Sequence, residues 1–575
     1  MPEFLSDETT RFVARRVDWA SLFRLRGDAA ADAVDVDEEV AAFLGVLRTA
    51  ADVAADLADA ARGRWHEAAH LRGDRVAVPD HVAAGYETLR RAGLLCVSLG
   101  RAHGGLGLPY LLHCAILELV ARADPSLMTI VGLQAGVAID IERFGGEELQ
   151  RAWLPRFASG ELQGAMDLTE PGAGSDLGRI ATRVTAEDGR LFVDGEKIFI
   201  TNGGCAVHLV LARDASAPAA AAGTPTGLSL VLCPTQLPDG RPNAVRVARV
   251  EEKLGLHGSP TCVVQFDHAE AFPLGPRGGG FRAMLDLMNL ARLGVAAQAV
   301  GIAETAYQAA AAHAATRVQF GQALIHHPLM TAMLAAMRID VSAARALLYR
   351  TSALVDHVEA LRLYLRSDRG RSDPARDALR QEHLHASRLV RVLTSLSKYT
   401  AGEMCRRVTA AALQAHGGIG YMAESVAGHA HLDALITTIY EGTSEIQVTF
   451  AASELARGVL PTVIEHLAAD VDAARAAEPE LAARLADGAR WLETAVAPVL
   501  GDPRLAQYHA ARIGRLVGDL LAAAELLRQA CLDPACRDLA AAFLEDRAPA
   551  FALEARHLSS DGASRLDRCA RLARS

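Results

Sequence analysis

Aromatic residues make up only 5% of this 575-residue chain. No uninterrupted apolar run reaches the roughly 18 residues that a membrane span needs. The most apolar stretch, 111–141, is interrupted by Glu118, Arg122 and Asp124, so it reads as buried helix. No Lys/Arg run or basic stripe accompanies the net charge of -10 and the pI near 6.1, which removes nucleic acid from the expected partners. The nine cysteines are odd in number and scattered, with Cys531 and Cys536 the closest pair and no Cys-x-x-Cys. That usage predicts reduced core thiols and a cytoplasmic location. The opening stretch MPEFLSDETTRFVARR lacks an apolar core and a cleavage pattern, so no secretory leader is expected.

Several chemistries lose support for want of their motifs. There is no Gly-x-Gly-x-x-Gly between a strand and a helix, no Gly-x-x-x-x-Gly-Lys-Ser/Thr, no Gly-x-Ser-x-Gly and no His-Glu-x-x-His. Dinucleotide Rossmann binding, P-loop hydrolysis, serine esterase and zinc protease readings fall away together. His326 and His327 are adjacent and His429 and His431 are two apart, without carboxylate or Cys company at ligand spacing, so no metal is expected.

About half the residues are apolar and 22% are charged, the share of a folded chain too long for one core. Residues 1 to about 80 read as charged helix with an irregular entry at Val17-Asp18-Trp19, and Pro79 opens the next helical stretch. His103-Gly104-Gly105-Leu106-Gly107 reads as a loop, with further helices to about Gly164. From about 165 the segments 191–201, 207–212, 228–233 and 262–266 are short and β-rich, punctuated by Asn202-Gly203-Gly204 and 223–227. Cys262, Val264 and Phe266 alternate with Val263, Gln265 and Asp267, as in a half-buried strand. After Gly280 the helical period returns, with Met284, Leu287, Met288 and Ala291 on one stripe. Residues 366–374 read as an exposed loop. Ile513, Leu516, Val517, Leu520 and Leu521 form a stripe in a last helical block.

Three polar, glycine-punctuated segments could carry chemistry. In Thr169-Glu170-Pro171-Gly172-Ala173-Gly174-Ser175-Asp176, small residues let backbone approach a planar ligand and hydroxyls supply hydrogen bonds; a surface loop joining helix to strand is the plainer reading. Gln414-Ala415-His416-Gly417-Gly418-Ile419-Gly420-Tyr421 could be a glycine helix stop. Tyr440-Glu441-Gly442-Thr443-Ser444-Glu445-Ile446-Gln447 could be a helix start, with Ser444 as N-cap and Gln447 as its capping-box partner.

Taken together, in this order and spacing, these segments resemble the acyl-CoA dehydrogenase family. The resemblance runs from about 80 to 456 and includes 103–107, 166–176, Lys197-Ile198-Phe199-Ile200-Thr201-Asn202-Gly203, Lys253–Ser259, Arg317-Val318-Gln319-Phe320-Gly321, 414–420 and 440–447. It implies an α+β fold: a helical N-domain, a small β-barrel or sheet in the middle, a four-helix-bundle C-domain and, in this long chain, an additional C-terminal helical domain. The expected division is 1–79, an N-terminal helical extension; 80–165, the N-domain; 166–280, the β domain; 281–456, the C-domain; and 457–575, the added domain. The excess length is similar to a long-form subgroup that includes 3-methylmercaptopropionyl-CoA dehydrogenases and large bacterial fatty acyl-CoA dehydrogenases.

The resemblance implies FAD and an acyl-CoA substrate. Leu168, Thr169, Phe199 and Thr201 would line the isoalloxazine, and Ser175 would face both FAD and the CoA arm. Arg317, Gln319 and Phe320 would contact the FAD of a neighbouring subunit, Gln414 and Gly418 its pyrophosphate, and Thr443 and Glu445 the cofactor from the last segment. Glu441 matches the family's base, with Gly442, Asn289 and Arg292 on the substrate side. A homo-oligomer follows, a dimer ahead of a tetramer, with an electron-transfer flavoprotein or similar acceptor. Some members carry their base at the place of Ala291, which cannot act as one.

The departures are Phe199 where a Trp is common, Asn289 where an acidic residue precedes the CoA-binding Arg, and Leu432 where an Arg precedes the Asp. The rival readings are an acyl-CoA oxidase using oxygen, a dehydrogenase of acyl-carrier-protein thioesters, and a flavin-free scaffold.

Overall fold

The computed structural model describes residues 4–26, 35–216, 223–560 and 562–574, and of Asp286 and Leu287 the backbone only. The Leu287 member of the stripe expected after Gly280 therefore lies outside the described side chains. The chain forms two compact units, 49–294 and 1–48 with 295–575, whose boundaries fall inside the helices Val36–Ala61 and Gly280–Thr316.

In the 49–294 unit, prolines and caps set the helix starts. Pro79 precedes Asp80–Arg91, and Pro109 precedes Tyr110–Ala123. Asp124 caps Pro125–Phe144, its carboxylate accepting from the N–H of Ser126 at 2.9 Å and of Leu127 at 3.1 Å. Every residue of Tyr110–Ala123 after Tyr110 is buried, Glu118 and Arg122 included, which accounts for the apolar stretch as core. The reading of 1–80 as helix fails at a short hairpin, His70–Arg72 (β1) with Arg75–Ala77 (β2). Two three-residue strands are too short to show a period of two against the helical charge pattern around them.

The sheet comprises Gly164–Asp167 (β3), Arg183–Glu187 (β4), Arg190–Thr201 (β5), Val207–Asp214 (β6), Leu228–Pro234 (β7), Val245–Val250 (β8) and Thr261–Pro273 (β9). Its path runs β3-β6-β4-β5-β9-β7, β8 adds to β9, and β6 pairs with β7, which closes a small barrel. Val184, Val193, Val210, Val231, Val264 and Phe266 fill one buried cluster in it. On β9 the expected alternation holds, except that Val263 is buried as well. Strand β3 escaped the sequence reading because all four of its residues are buried, so nothing alternates. It also makes the Thr169 segment a link between two strands, not between helix and strand.

In the other unit, the long helices Pro328–Arg366 and Arg376–His416 pack with Val426–Ile436 and Ser444–Glu454. The helices after 456 do not build a separate core. Ile513, Leu516, Val517, Leu520 and Leu521 share one buried cluster with Leu347, Leu389, Val392 and Val448. The N-terminal helices belong to this unit too. Glu8 is buried against Arg338, Arg345 and Ser342, and Arg345 reaches on to Glu304 at 2.7 Å. Arg16 grips the fully buried Glu525 through two hydrogen bonds of 2.9 Å. The expected loop at 366–374 holds one turn of helix, Asp368–Ser372, capped by Ser367.

Candidate active site

Within the 49–294 unit the Thr169 segment is pinned from beneath by a lysine. Lys197 on β5 is completely buried. Its ammonium donates to the carbonyl of Leu168 at 2.9 Å, to Oε1 of Glu170 at 2.8 Å and to the carbonyl of Leu211 at 2.7 Å. Three acceptors use all three N–H groups. Burial presses the Lys197 pKa below the ordinary lysine range, and the Glu170 carboxylate partly restores it. Glu170 in turn accepts the N–H of Ala181 and of Thr182. Because a trans peptide points its C=O and N–H in opposite directions, the hold on Leu168 turns the Thr169 N–H away from Lys197. The Thr169 carbonyl accepts the N–H of Ile198 at 2.9 Å.

Immediately after Lys197 the β5–β9 ladder breaks, and the register resumes at Ile200. The break is a bulge with Phe199 at φ +59, which re-aims its ring outward and leaves it 61% exposed. Ser175 is exposed and Thr201 half-buried. Further along this unit Arg292 is buried, its guanidinium donating to the Asn289 side-chain oxygen at 2.9 Å. The amide thus occupies the place where the resemblance leads one to expect a carboxylate.

In the other unit Glu441 lies in the turn before the helix Ser444–Glu454. It is half-buried and sits at φ +56, with Gly442 at φ +93. The expected cap is corrected by one residue: Thr443 is the N-cap, its hydroxyl accepting from the N–H of Ile446, while Ser444 begins the helix and donates to Glu403 at 2.7 Å. Gln447 is not a capping-box partner. Its amide reaches the carbonyls of Glu441, at 2.7 Å, and of Gly442. The fully buried Lys398 also donates to the Gly442 carbonyl, at 2.7 Å. Tyr440 ahead of the turn hydrogen-bonds Gln298, and burial, with the charge of Glu441 beside it, pushes its phenol well above the usual range.

The remaining residues of this unit lie on its surface. Arg317, Gln319 and Phe320 are exposed on or beside a hairpin, Val318–Gln319 (β10) with Gln322–Ala323 (β11), and Phe320 is 94% exposed. Gln414 and Gly418 are exposed at the end of Arg376–His416, where Gly417 at φ +61 stops the helix as the sequence suggested. Lys398 was not singled out by sequence. The available signal was a lone charge inside the otherwise small and apolar run 392–399.

The comparisons with known proteins agree along the chain. The profile of the acyl-CoA dehydrogenase N-terminal domain matches residues 48–161, that of the middle domain 165–269, and that of the C-terminal domain 278–365 and 375–456. The chain belongs to the acyl-CoA dehydrogenase family. It is 34% identical over 402 residues to the 3-methylmercaptopropionyl-CoA dehydrogenase of Ruegeria pomeroyi, a match covering 66% of this chain and 65% of that protein. It is 31% identical to the human mitochondrial short-chain specific acyl-CoA dehydrogenase, over 65% of this chain and 83% of that one. Butyryl-CoA dehydrogenase from Megasphaera elsdenii superposes with a TM-score of 0.60 at 26% identity, over 72% of this chain and 97% of that one. Among the described residues no helix is long and apolar enough to cross a membrane.

Acyl-CoA dehydrogenases are FAD-dependent oxidoreductases, and the residues present suit that cofactor. None of the twelve cofactor residues that the resemblance implies is buried, whereas their neighbours Asp167, Glu170, Lys197, Ile200, Ala415, Gly420, Ser444 and Gln447 all are. Phe199 presents an aromatic face without a polar atom. At Gly172, Gly174 and Gly418 a Cβ would meet nothing within 4 Å, so the backbone lies open to a large planar ligand.

Proposed function

We propose that this protein oxidises a saturated acyl-CoA thioester to the trans-2-enoyl-CoA, with Glu441 as the base. The observation that carries the reading is a carboxylate on a left-handed turn whose carbonyls are tied by buried side chains, so that Glu441 is held at a set place. Ala291 leaves the alternative position for a base without one. Glu441 removes the α-proton as the β-hydrogen departs with its electron pair, and the Cα–Cβ double bond forms. FAD, when bound, would supply the hydride acceptor, with an external acceptor such as an electron-transfer flavoprotein as the electrons' destination.

On this reading Leu168, Thr169, Phe199 and Thr201 hold the isoalloxazine, with Ser175, Thr443 and Glu445 beside it. Asn289, Arg292 and Gly442 serve the thioester side, with Arg292 oriented by Asn289. Phe320, Val318 and Leu329 are strongly exposed apolar residues near Arg317 and Gln319. Their exposure supports a second copy of the chain, with these residues and with Gln414 and Gly418 serving a shared cofactor. A division of the chain at 79, 165, 280 and 456, with the last segment sharing its core with the one before it, and a cytoplasmic setting complete the proposal.

The test is anaerobic bleaching of the flavin by a panel of acyl-CoAs. Wild-type protein should bleach with at least one of them, and Glu441→Gln should keep its FAD and bleach about 100- to 10,000-fold more slowly, the span of a lost general base. Bleaching near the wild-type rate would remove Glu441 from the role.

A further inference from the structure

The turn carrying Glu441 is strained and held from several directions. A non-glycine residue in the left-handed region is strained and persists only where its surroundings dictate it. Glu441 is such a residue, and Gly442 follows in the same half of backbone space. Two fully buried side chains hold the pair. Nε2 of Gln447 donates to the carbonyl of Glu441 at 2.7 Å and to that of Gly442 at 3.3 Å, and Nζ of Lys398 donates to the Gly442 carbonyl at 2.7 Å. A Cβ on Gly442 would stand 2.7 Å from Nε2, so the amide is packed directly beneath the turn.

Gln447 bears a cost that stability alone does not explain. Its Oε1 is buried and makes no hydrogen bond among the described residues. An orphaned buried acceptor carries the full cost of its lost hydration, which an apolar side chain of the same size would avoid. Such a side chain could not hold the two carbonyls.

We propose that Gln447 is a positioning residue for Glu441. It fixes the Glu441–Gly442 turn, with Lys398 bracing the second carbonyl, and so sets where the carboxylate meets the α-carbon of the substrate. The proposal rests on the reading of Glu441 as the base, and Gln447 acts only through it.

Gln447→Leu and Gln447→Met keep the volume and remove the donor; the flexible Met variant decides if the Leu variant fails to fold. Both are studied as FAD-loaded full-length protein. The probe is the straight-chain acyl-CoA, from butyryl- to palmitoyl-CoA, that bleaches the wild-type flavin fastest. Bleaching per bound flavin should slow about 10- to 100-fold, as expected when a reacting group is displaced by about 1 Å. The half-saturating acyl-CoA concentration should change by less than about two-fold, since the loss falls on the transition state. An α-deuterated acyl-CoA should show a larger isotope effect than in the wild type, because proton removal becomes the slower step.

A lower melting temperature or FAD content with wild-type bleaching per bound flavin would make Gln447 purely structural and overturn the inference. Glu441→Gln, measured alongside, separates the two failures. If it still bleaches, or if no acyl-CoA bleaches the wild type, the base reading falls and this inference with it. If Glu441→Gln is inactive while both Gln447 variants bleach normally, the positioning role alone falls.

Discussion

Lys197 in the 49–294 unit and Lys398 in the other are both completely buried, and each ends on the backbone carbonyl of a turn, Leu168 in one case and Gly442 in the other. The settings differ in what shares the anchor. Beside Lys197 stands the Glu170 carboxylate at 2.8 Å, whereas the second donor on the Gly442 carbonyl is the neutral amide of Gln447. The difference follows from what each turn has to do. On the proposed reading the Thr169 segment only holds a cofactor, so an ion pair under it disturbs nothing. As the proposed base, Glu441 would have to take up and release a proton. A carboxylate in the place of that amide would push its pKa up through like charge, and the amide fixes the backbone without adding charge.

Breaking the two anchors is therefore expected to have unequal effects. Lys197→Met leaves the Glu170 carboxylate buried without its cation, and removing one partner of a buried pair costs about 3–5 kcal/mol. The 49–294 unit should lose stability and FAD together. Adding Glu170→Gln should recover part of the loss, because no unpaired charge then remains. Lys398→Met takes a donor from a carbonyl that still has Gln447, so about 1–3 kcal/mol is expected, with the larger effect on flavin bleaching. Urea denaturation and FAD content of the four proteins check the order. Equal losses from the two single variants would remove the electrostatic distinction.

Acid sharpens the picture of the 49–294 unit by a further route. His113 is buried, and burial lowers its pKa from 6.5 to about 4. The folded state thus refuses a proton that the unfolded chain accepts. The stability this preserves is fully present above about pH 6.5 and is lost as the pH falls toward 4, by up to about 3 kcal/mol. His113→Phe, a ring of similar shape, should flatten the dependence between about pH 7.5 and pH 5 in urea titrations. An unchanged slope would mean that His113 takes up its proton in the fold.

Much of this arrangement could be read along the chain, and what escaped did so for physical reasons. Glycine punctuation is local, so the three polar segments were visible. The helix stop at Gly417 needs only a residue that tolerates φ +61. Apolar period exposed the 513–521 stripe and the β9 alternation, each dictated by one face meeting the core. Strands β1, β2 and β3 were missed because two are only three residues long and exposed or half-buried, and the third is buried on both faces. The cap moved from Ser444 to Thr443 because both hydroxyls suit it, and Glu403, distant in sequence, engages Ser444. The two anchoring lysines depend on contacts 29 and 44 residues away. No period or spacing reports such a contact, which is why Lys197 could be quoted in a motif without its role being visible.

The smallest expected effect on the fold is also a sharp test of the surface proposed to face the cofactor. Gly174 lies in the exposed turn above Lys197, its φ is negative, and an added Cβ would meet no protein atom within 4 Å. Gly174→Ala should therefore leave stability within about 0.5 kcal/mol of the wild type, as for a surface substitution that creates no strain. If the turn is only a surface link between β3 and β4, nothing else should change. If its bare backbone lies against FAD, the new methyl group takes space that the cofactor needs, and FAD should be lost on dilution or gel filtration more readily than from the wild type. Gly189→Ala is the control for backbone strain. It sits in the β4–β5 turn with equally open surroundings but at φ +79, so it should weaken the barrel and leave the FAD affinity of the folded protein intact. Stability and cofactor retention thus come apart at the two glycines in opposite directions, and a common response at both would deny the Thr169–Asp176 turn its place against the flavin.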